Sequence, residues 1–193
     1  MANPVPVTLD RYCYADLLTW PEDQRWELID GIPYDMSPAP TRRHQKVVSE
    51  LFGQFWLFLK DKPCDVYVPP FDVRLPALDE DGMTATTVVQ PDITIVCDKD
   101  KLDERGCLGS PTLVVEALSP GTAKKDLREK LHTYERSGVP EYWIITPSDK
   151  TLMVFTLDEQ GRYSTHAVYG DIEQAPVKVL PGLVIDLASV FAE

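Results

Sequence analysis

Two carboxylates stand where a plain scaffold has little use for them. Glu116 interrupts the apolar run Leu113-Val114-Val115-Glu116-Ala117-Leu118, and Asp92 lies between Pro91 and Ile93-Thr94-Ile95-Val96. An ionised group buried in such surroundings costs several kcal/mol unless it is paired, so each needs a partner or a metal. Taken singly, either acid is as readily explained by an edge strand or a salt bridge. Taken together, acids on neighbouring strands can meet at one face and bind a hard cation through oxygen. Magnesium suits such a pair, because it accepts one or two protein carboxylates and keeps several waters. A cation so held would lower the pKa of a bound water and stabilise charge on a phosphoryl group.

Cations follow the second acid: Lys124, Lys125, Arg128 and Lys130. Lys130 is the one best placed to reach a scissile phosphate from a helix beside Glu116. Asp126, four residues earlier, is covered by a solvated pair with Lys130 on one helical face. Glu27 is a candidate third acid, although Arg25 offers it a purely structural partner. Arg42-Arg43-His44 is the only compact basic cluster ahead of the core. From it Arg43 and His44, together with Lys124, are candidates for contact with substrate phosphate. His132 and His166 belong to no motif.

The elements that must position these side chains are legible from pattern. Residues 14–20 read as a short helix ended by Pro21. Residues 25–29 and 32–36 flank Asp30-Gly31, the signal of a two-residue hairpin. Val47, Val48, Leu51, Phe52, Phe55 and Leu59 recur at helical spacing and predict a long helix over 41–60. Residues 65–75 hold two short strand-like runs broken by Pro69-Pro70, and the polar stretch 79–87 reads as a mobile loop. Residues 88–96 and 113–118 read as buried strands, joined by a charged connection. A helix is expected over 124–137, stopped by Gly138. Residues 142–146 form a further strand, 151–157 and 163–169 a hairpin, and 187–191 a short terminal helix. Strands and helices interleave without a linker or repeat, which fits one α/β domain over 1–193, with 1–13 a loose arm.

Composition limits the function classes. The 193 residues include 31 acidic and 19 basic side chains, a net charge of -12 that is against type for a nucleic-acid binder. Cations bound at an acidic centre offset part of that objection locally. Cys13, Cys64, Cys97 and Cys107 form no C-x-x-C pair, so a structural zinc site is not expected. Scattered cysteines without a secretory segment suit a reducing cytoplasm. No apolar run approaches the ~20 residues that span a bilayer.

The motifs also carry a resemblance. Trp26-Glu27-Leu28-Ile29-Asp30-Gly31, Met36-Ser37-Pro38 and His44 resemble the opening signature of the Uma-two restriction-endonuclease family, within the PD-(D/E)XK nuclease superfamily. Gln90-Pro91-Asp92, Val115-Glu116-Ala117-Leu118-Ser119-Pro120, Asp126 with Lys130, and Tyr134 with Gly138-Val139-Pro140-Glu141-Tyr142-Trp143 continue it in order. The likeness runs from about Tyr14 to Phe191. It implies a restriction-endonuclease-like fold, a central mixed β-sheet flanked by helices. It also implies hydrolysis of phosphodiester bonds with Mg²⁺ or Mn²⁺, in nucleic acid and by preference DNA. Asp92 then corresponds to the Asp of the PD element and Glu116 to the acid of the (D/E)XK element. Leu118 occupies the position where the superfamily places Lys, and Lys130 on the next helix takes its part. Glu27 corresponds to an acid supplied by the N-terminal region.

Two rivals are weighed beside this reading. One is a catalytically inactive module that keeps the nuclease fold for binding nucleic acid or protein, which the acidity favours. The other is a two-carboxylate hydrolase such as a glycosidase, which the scarcity of aromatics near Asp92 and Glu116 disfavours. Cutting both strands with one site per chain would favour a homodimer.

Overall fold

The computed structural model describes residues 11–21, 23–36, 39–119, 125–163 and 165–192, with side chains omitted at 125–127 and at 165–166. The arm expected over 1–13 lies outside these residues, except that Arg11–Cys13 are held: the Tyr12 N–H donates to Gly31 O at 3.0 Å.

In chain order the first elements are α1 (Tyr14–Leu17), β1 (Trp26–Ile29), β2 (Ile32–Asp35) and α2 (Arg42–Leu59). Next come β3 (Asp65–Tyr67), β4 (Asp72–Arg74), β5 (Val88–Val89), β6 (Ile93–Val96), β7 (Leu102–Asp103), β8 (Gly106–Leu108) and β9 (Leu113–Ala117). A π-helical stretch, Lys125–Lys130, leads into α3 (Leu131–Arg136). The chain ends with β10 (Glu141–Thr146), β11 (Thr151–Thr156), β12 (Thr165–Tyr169), β13 (Gln174–Pro176), β14 (Val184–Asp186) and α4 (Leu187–Val190).

The strands form two mixed sheets, ordered β12-β11-β10-β9-β6-β3 and β2-β1-β5-β4-β8-β7, with β13-β14 as a separate pair. In the first sheet β9 and β10 are parallel, and in the second β4 and β8. The first sheet is covered on one face by α2, whose Val47, Leu51, Phe55 and Leu59 pack on Ile93, Leu113, Val115 and Trp143. Its other face, through Val96, Val114, Tyr142 and Ile144, packs with Val73 and Val89 of the second sheet and Tyr134 of α3. This is the mixed α/β architecture expected, with the central sheet joined by a second one that contains the N-terminal hairpin. Asp30 and Gly31 both take positive φ, 52° and 75°, the geometry a two-residue turn of matching twist requires.

Several local expectations change. Residues 88–96 are not one strand: Pro91 offers no N–H to a ladder, so β5 stays in the second sheet and β6 enters the first. Gln90-Pro91-Asp92 thus becomes the crossing between sheets. The helix expected over 124–137 begins as a π-turn before becoming α-helical, and α1 stops at Leu17. The stretch 79–87 is tied down. The carbonyls of Ala85, Met83 and Thr86 accept the N–H groups of Tyr14, Ala15 and Gly31, and Ala85 is fully buried. Polar composition signals a loop but does not reveal such backbone bonding. The hairpin β13-β14 is not marked in the sequence by an alternating apolar pattern. Cys64 and Cys97 form a disulfide. They stand one step beyond the Asp65↔Val96 pair of β3 and β6, a proximity that 33 residues of sequence separation conceal. No helix among the described residues is long and apolar enough to cross a membrane.

Candidate active site

Alternation along β1 turns Glu27 inward, and the pairing Leu28↔Val88 sets β1 beside β5, two residues before the crossing. The crossing then answers the buried acid, because the Gln90 N–H donates to Glu27 Oε1 at 3.0 Å. Alternation along β9 sends Leu113, Val115 and Ala117 into the α2 face and Glu116 to the opposite face. There Lys130 meets both acids, with Nζ 2.7 Å from Glu27 Oε1 and 2.7 Å from Glu116 Oε1. One helical turn on, the Tyr134 hydroxyl donates to Glu116 Oε1 at 2.8 Å. Burial, reinforced by the charge of Glu116, pushes the Tyr134 phenol well above its usual range, so it acts as a neutral donor.

Glu27, Glu116 and Lys130 are all buried, with relative exposures of 0%, 4% and 3%. Desolvating each ion costs several kcal/mol, which close contact of opposite charges and added hydrogen bonds offset. Asp92 is less enclosed than these three, with its side chain 22% exposed. Asp92 lies one step past the Ile93↔Val115 pair of β6 and β9, which sets it opposite Glu116 at the end of the ladder. Its Oδ2 accepts the N–H of Ala117 at 2.8 Å and lies 3.3 Å from His44 Nε2. His44 is fixed in the first turn of α2, where its N–H donates to the capping oxygen of Thr41 at 3.2 Å.

A further chain of polar contacts braces the crossing. Arg25 donates to Gln90 Oε1 through Nη2 at 2.6 Å and Nε at 3.2 Å. Gln90 Nε2 donates to Asp72 Oδ1, and the Tyr14 hydroxyl to Asp72 Oδ2, each at 2.8 Å. Burial and the Asp72 carboxylate push the Tyr14 phenol up to about 12, so it too stays a donor.

Comparison with known proteins bears on this arrangement. The sequence profile of the Uma2 family, described as "Putative restriction endonuclease", matches residues 14–188. The chain belongs to the Uma2 family. Its fold is similar to the crystal structure of a putative nuclease belonging to DUF820 from Anabaena variabilis ATCC 29413. The two superpose with a TM-score of 0.74 at 18% sequence identity, over 93% of this chain and 97% of that one. No curated protein matches.

In this Uma2 chain the structure gathers Glu27, Glu116 and Lys130 directly, and ties Asp92 to His44 and to the N–H of Ala117, the residue after Glu116. Arg43 is exposed on the first turn of α2, and Lys124 lies outside the described residues. Arg25, weighed as the partner of Glu27, bonds Gln90 instead. Lys130, weighed as a surface partner of Asp126, is buried on two other acids. Tyr134 and Gln90 were not singled out as site residues. Tyr134 carried a usable signal, four residues after Lys130 and so on one helical face. Gln90 carried only its place beside Pro91-Asp92.

Among the described residues no three His, Cys, Asp or Glu side chains are grouped so as to hold a metal ion by themselves. The donors opposed at the end of the β6–β9 ladder are hard carboxylate oxygens. Oxygens of that kind suit Mg²⁺ or Mn²⁺ completed by water rather than an all-protein zinc or calcium cage. Glu27 Oε1 is engaged by Lys130 and by the Gln90 N–H.

Proposed function

We propose that this protein is a metal-dependent endonuclease that hydrolyses phosphodiester bonds of DNA. The observation that carries the reading is the meeting of buried Lys130 with Glu116, whose counterpart across the end of the β6–β9 ladder is Asp92. Membership of a family described as "Putative restriction endonuclease" supports it. Asp92 and Glu116 would hold Mg²⁺ or Mn²⁺. When bound, the cation would supply a water of lowered pKa and stabilise negative charge on the phosphoryl group.

The chain's own residues do the positioning. Glu27 fixes Lys130 from behind, through Oε1. Lys130 presents positive charge beside Glu116, where an attacking water can be oriented and charge on the phosphorane offset. Tyr134 fills one lone pair of Glu116 Oε1 and so directs the rest of that carboxylate. His44 and the Ala117 N–H fix one oxygen of Asp92 and limit its rotation. Cutting of both strands would pair two chains about a two-fold axis, each supplying one such site.

Nicking of supercoiled plasmid DNA tests the proposal. Cleavage with Mg²⁺ or Mn²⁺ that stops in EDTA and in Asp92→Ala is expected. Undiminished cleavage in EDTA would contradict it.

A further inference from the structure

We propose that the cleft lined by Arg42, Arg43, Lys46 and Lys150 grips the backbone phosphate of a nucleic-acid strand next to the bond being cut. The inference rests on the nuclease reading of Asp92 and Glu116, and adds the surface that holds the strand. With 31 acidic against 19 basic residues, the protein carries a net charge of -12 that repels a polyanion. Against that background four cations line one cleft, together with Pro147 and Phe191.

Topology sets the cleft at the same end of the first sheet as the site, on the α2 face, where His44 links it to Asp92. Arg42 and Arg43 open α2 and directly precede His44, whose Nε2 lies 3.3 Å from Asp92 Oδ2. Pro147 and Lys150 follow β10, which runs parallel to β9 with Ile145 opposite Ala117, the residue after Glu116. The Leu118 N–H donates to Ile145 O at 2.8 Å. Both walls of the cleft therefore rise from the end of the sheet at which Asp92 and Glu116 stand.

The chemistry favours a strand over a free anion. Lys46 is shared with Glu50 at 2.9 Å and Lys150 with Asp171 at 3.9 Å, so these lysines contribute diffuse positive charge. Arg42 is exposed and presents the planar fork that matches a phosphate with two hydrogen bonds.

The test is the affinity of a short fluorescein-labelled DNA duplex, read by anisotropy in EDTA so that nothing is cleaved. Lys150 sits at φ 52°, a conformation Asn tolerates, so the variant is Arg42→Ala/Lys150→Asn. It should bind about tenfold more weakly, with the slope of log affinity against log salt reduced by about 1 to 2. Lys60→Ala/Lys62→Ala removes equal charge beyond the far end of α2 and should change affinity less than about twofold. Inorganic phosphate should compete no better than chloride at matched ionic strength. Should the first variant melt early, Arg42→Gln alone gives the same comparison at an exposed position. The assignment is overturned by unchanged affinity and slope, by equal losses in both double variants, by displacement with inorganic phosphate, or by no duplex binding in the wild type. None of these outcomes decides the nuclease reading, which metal-dependent cleavage tests separately.

Discussion

Lys130 Nζ stands 2.7 Å from Glu116 Oε1 across 14 residues of chain, and the segment that carries it is a π-turn running into a helix rather than the strand of its partner. A lysine two residues after the acid on the same strand would need no such reach. The chain has Leu118 there, and the long stem of Lys130 delivers an ammonium from the neighbouring layer. The π-turn is a local distortion of a kind often found at functional sites. Glu27 on the second sheet then clamps the same ammonium, so three layers of the fold meet on one nitrogen.

Replacing Lys130 with Met removes the charge that both carboxylates share. Stability should fall by about 3–5 kcal/mol, the range for breaking a buried ion pair, as read by urea unfolding. Glu27→Gln/Lys130→Met should recover a substantial part of that loss by removing one charge, yet remain inactive. Wild-type cleavage by Lys130→Met would exclude a catalytic role for the ammonium.

Tyr134→Phe deletes the hydroxyl on Glu116 Oε1. A hydrogen bond to a charged group contributes about 1.5–3 kcal/mol, so a measurable drop in stability and in cleavage rate is expected. Because burial and Glu116 hold the phenol well above its usual range, Tyr134 does not titrate at working pH. The pH–rate profile should keep its shape while its height falls. A lost limb in the profile would instead make Tyr134 a proton carrier.

His44→Ala frees one side of Asp92. Partners that orient a metal-binding carboxylate typically set affinity by about 10–100-fold. The Mn²⁺ concentration for half-maximal cleavage should rise on that scale. Unaltered metal dependence would show that Asp92 does not need His44.

The acids at the site were legible because each breaks an apolar strand pattern, and Lys130 because it follows at a plausible distance. The hairpin carrying Glu27 was legible from Asp30-Gly31, and α2 from its apolar stripe. What pattern could not give was partnership across long separations. Glu27 and Lys130 are 103 residues apart, and nothing local marks them as neighbours. The same blindness hid the Cys64–Cys97 disulfide and left Glu27 read against Arg25, two residues away. The break at Pro91 was written in the sequence, since proline cannot donate to a ladder, yet the apolar residues around it read as one strand. Residues 79–87 misled for the converse reason: their backbone bonds hold them, and composition does not report backbone bonds.

Glu141 gives a pH-dependent signature independent of catalysis. Its carboxylate accepts the Trp143 indole N–H at 2.7 Å and the Val179 N–H at 2.8 Å, but burial outweighs them and raises its pKa above the ordinary 4.5. Between those two values the folded state holds more protons than the unfolded one, so stability falls as pH rises. Its contribution is full below about pH 4.5 and is lost as pH rises through the folded value. Glu141→Gln should flatten that decline in unfolding free energy measured across mildly acidic pH. An unchanged slope would remove Glu141 as its source.

Anomalous diffraction from crystals grown in Mn²⁺ addresses most directly whether Asp92 and Glu116 share a cation. A peak about 2.1 Å from an oxygen of each, completed by waters and absent in Asp92→Ala, is the expected result. A protein that cleaves DNA with Mn²⁺ while its only peak lies away from both carboxylates would contradict it.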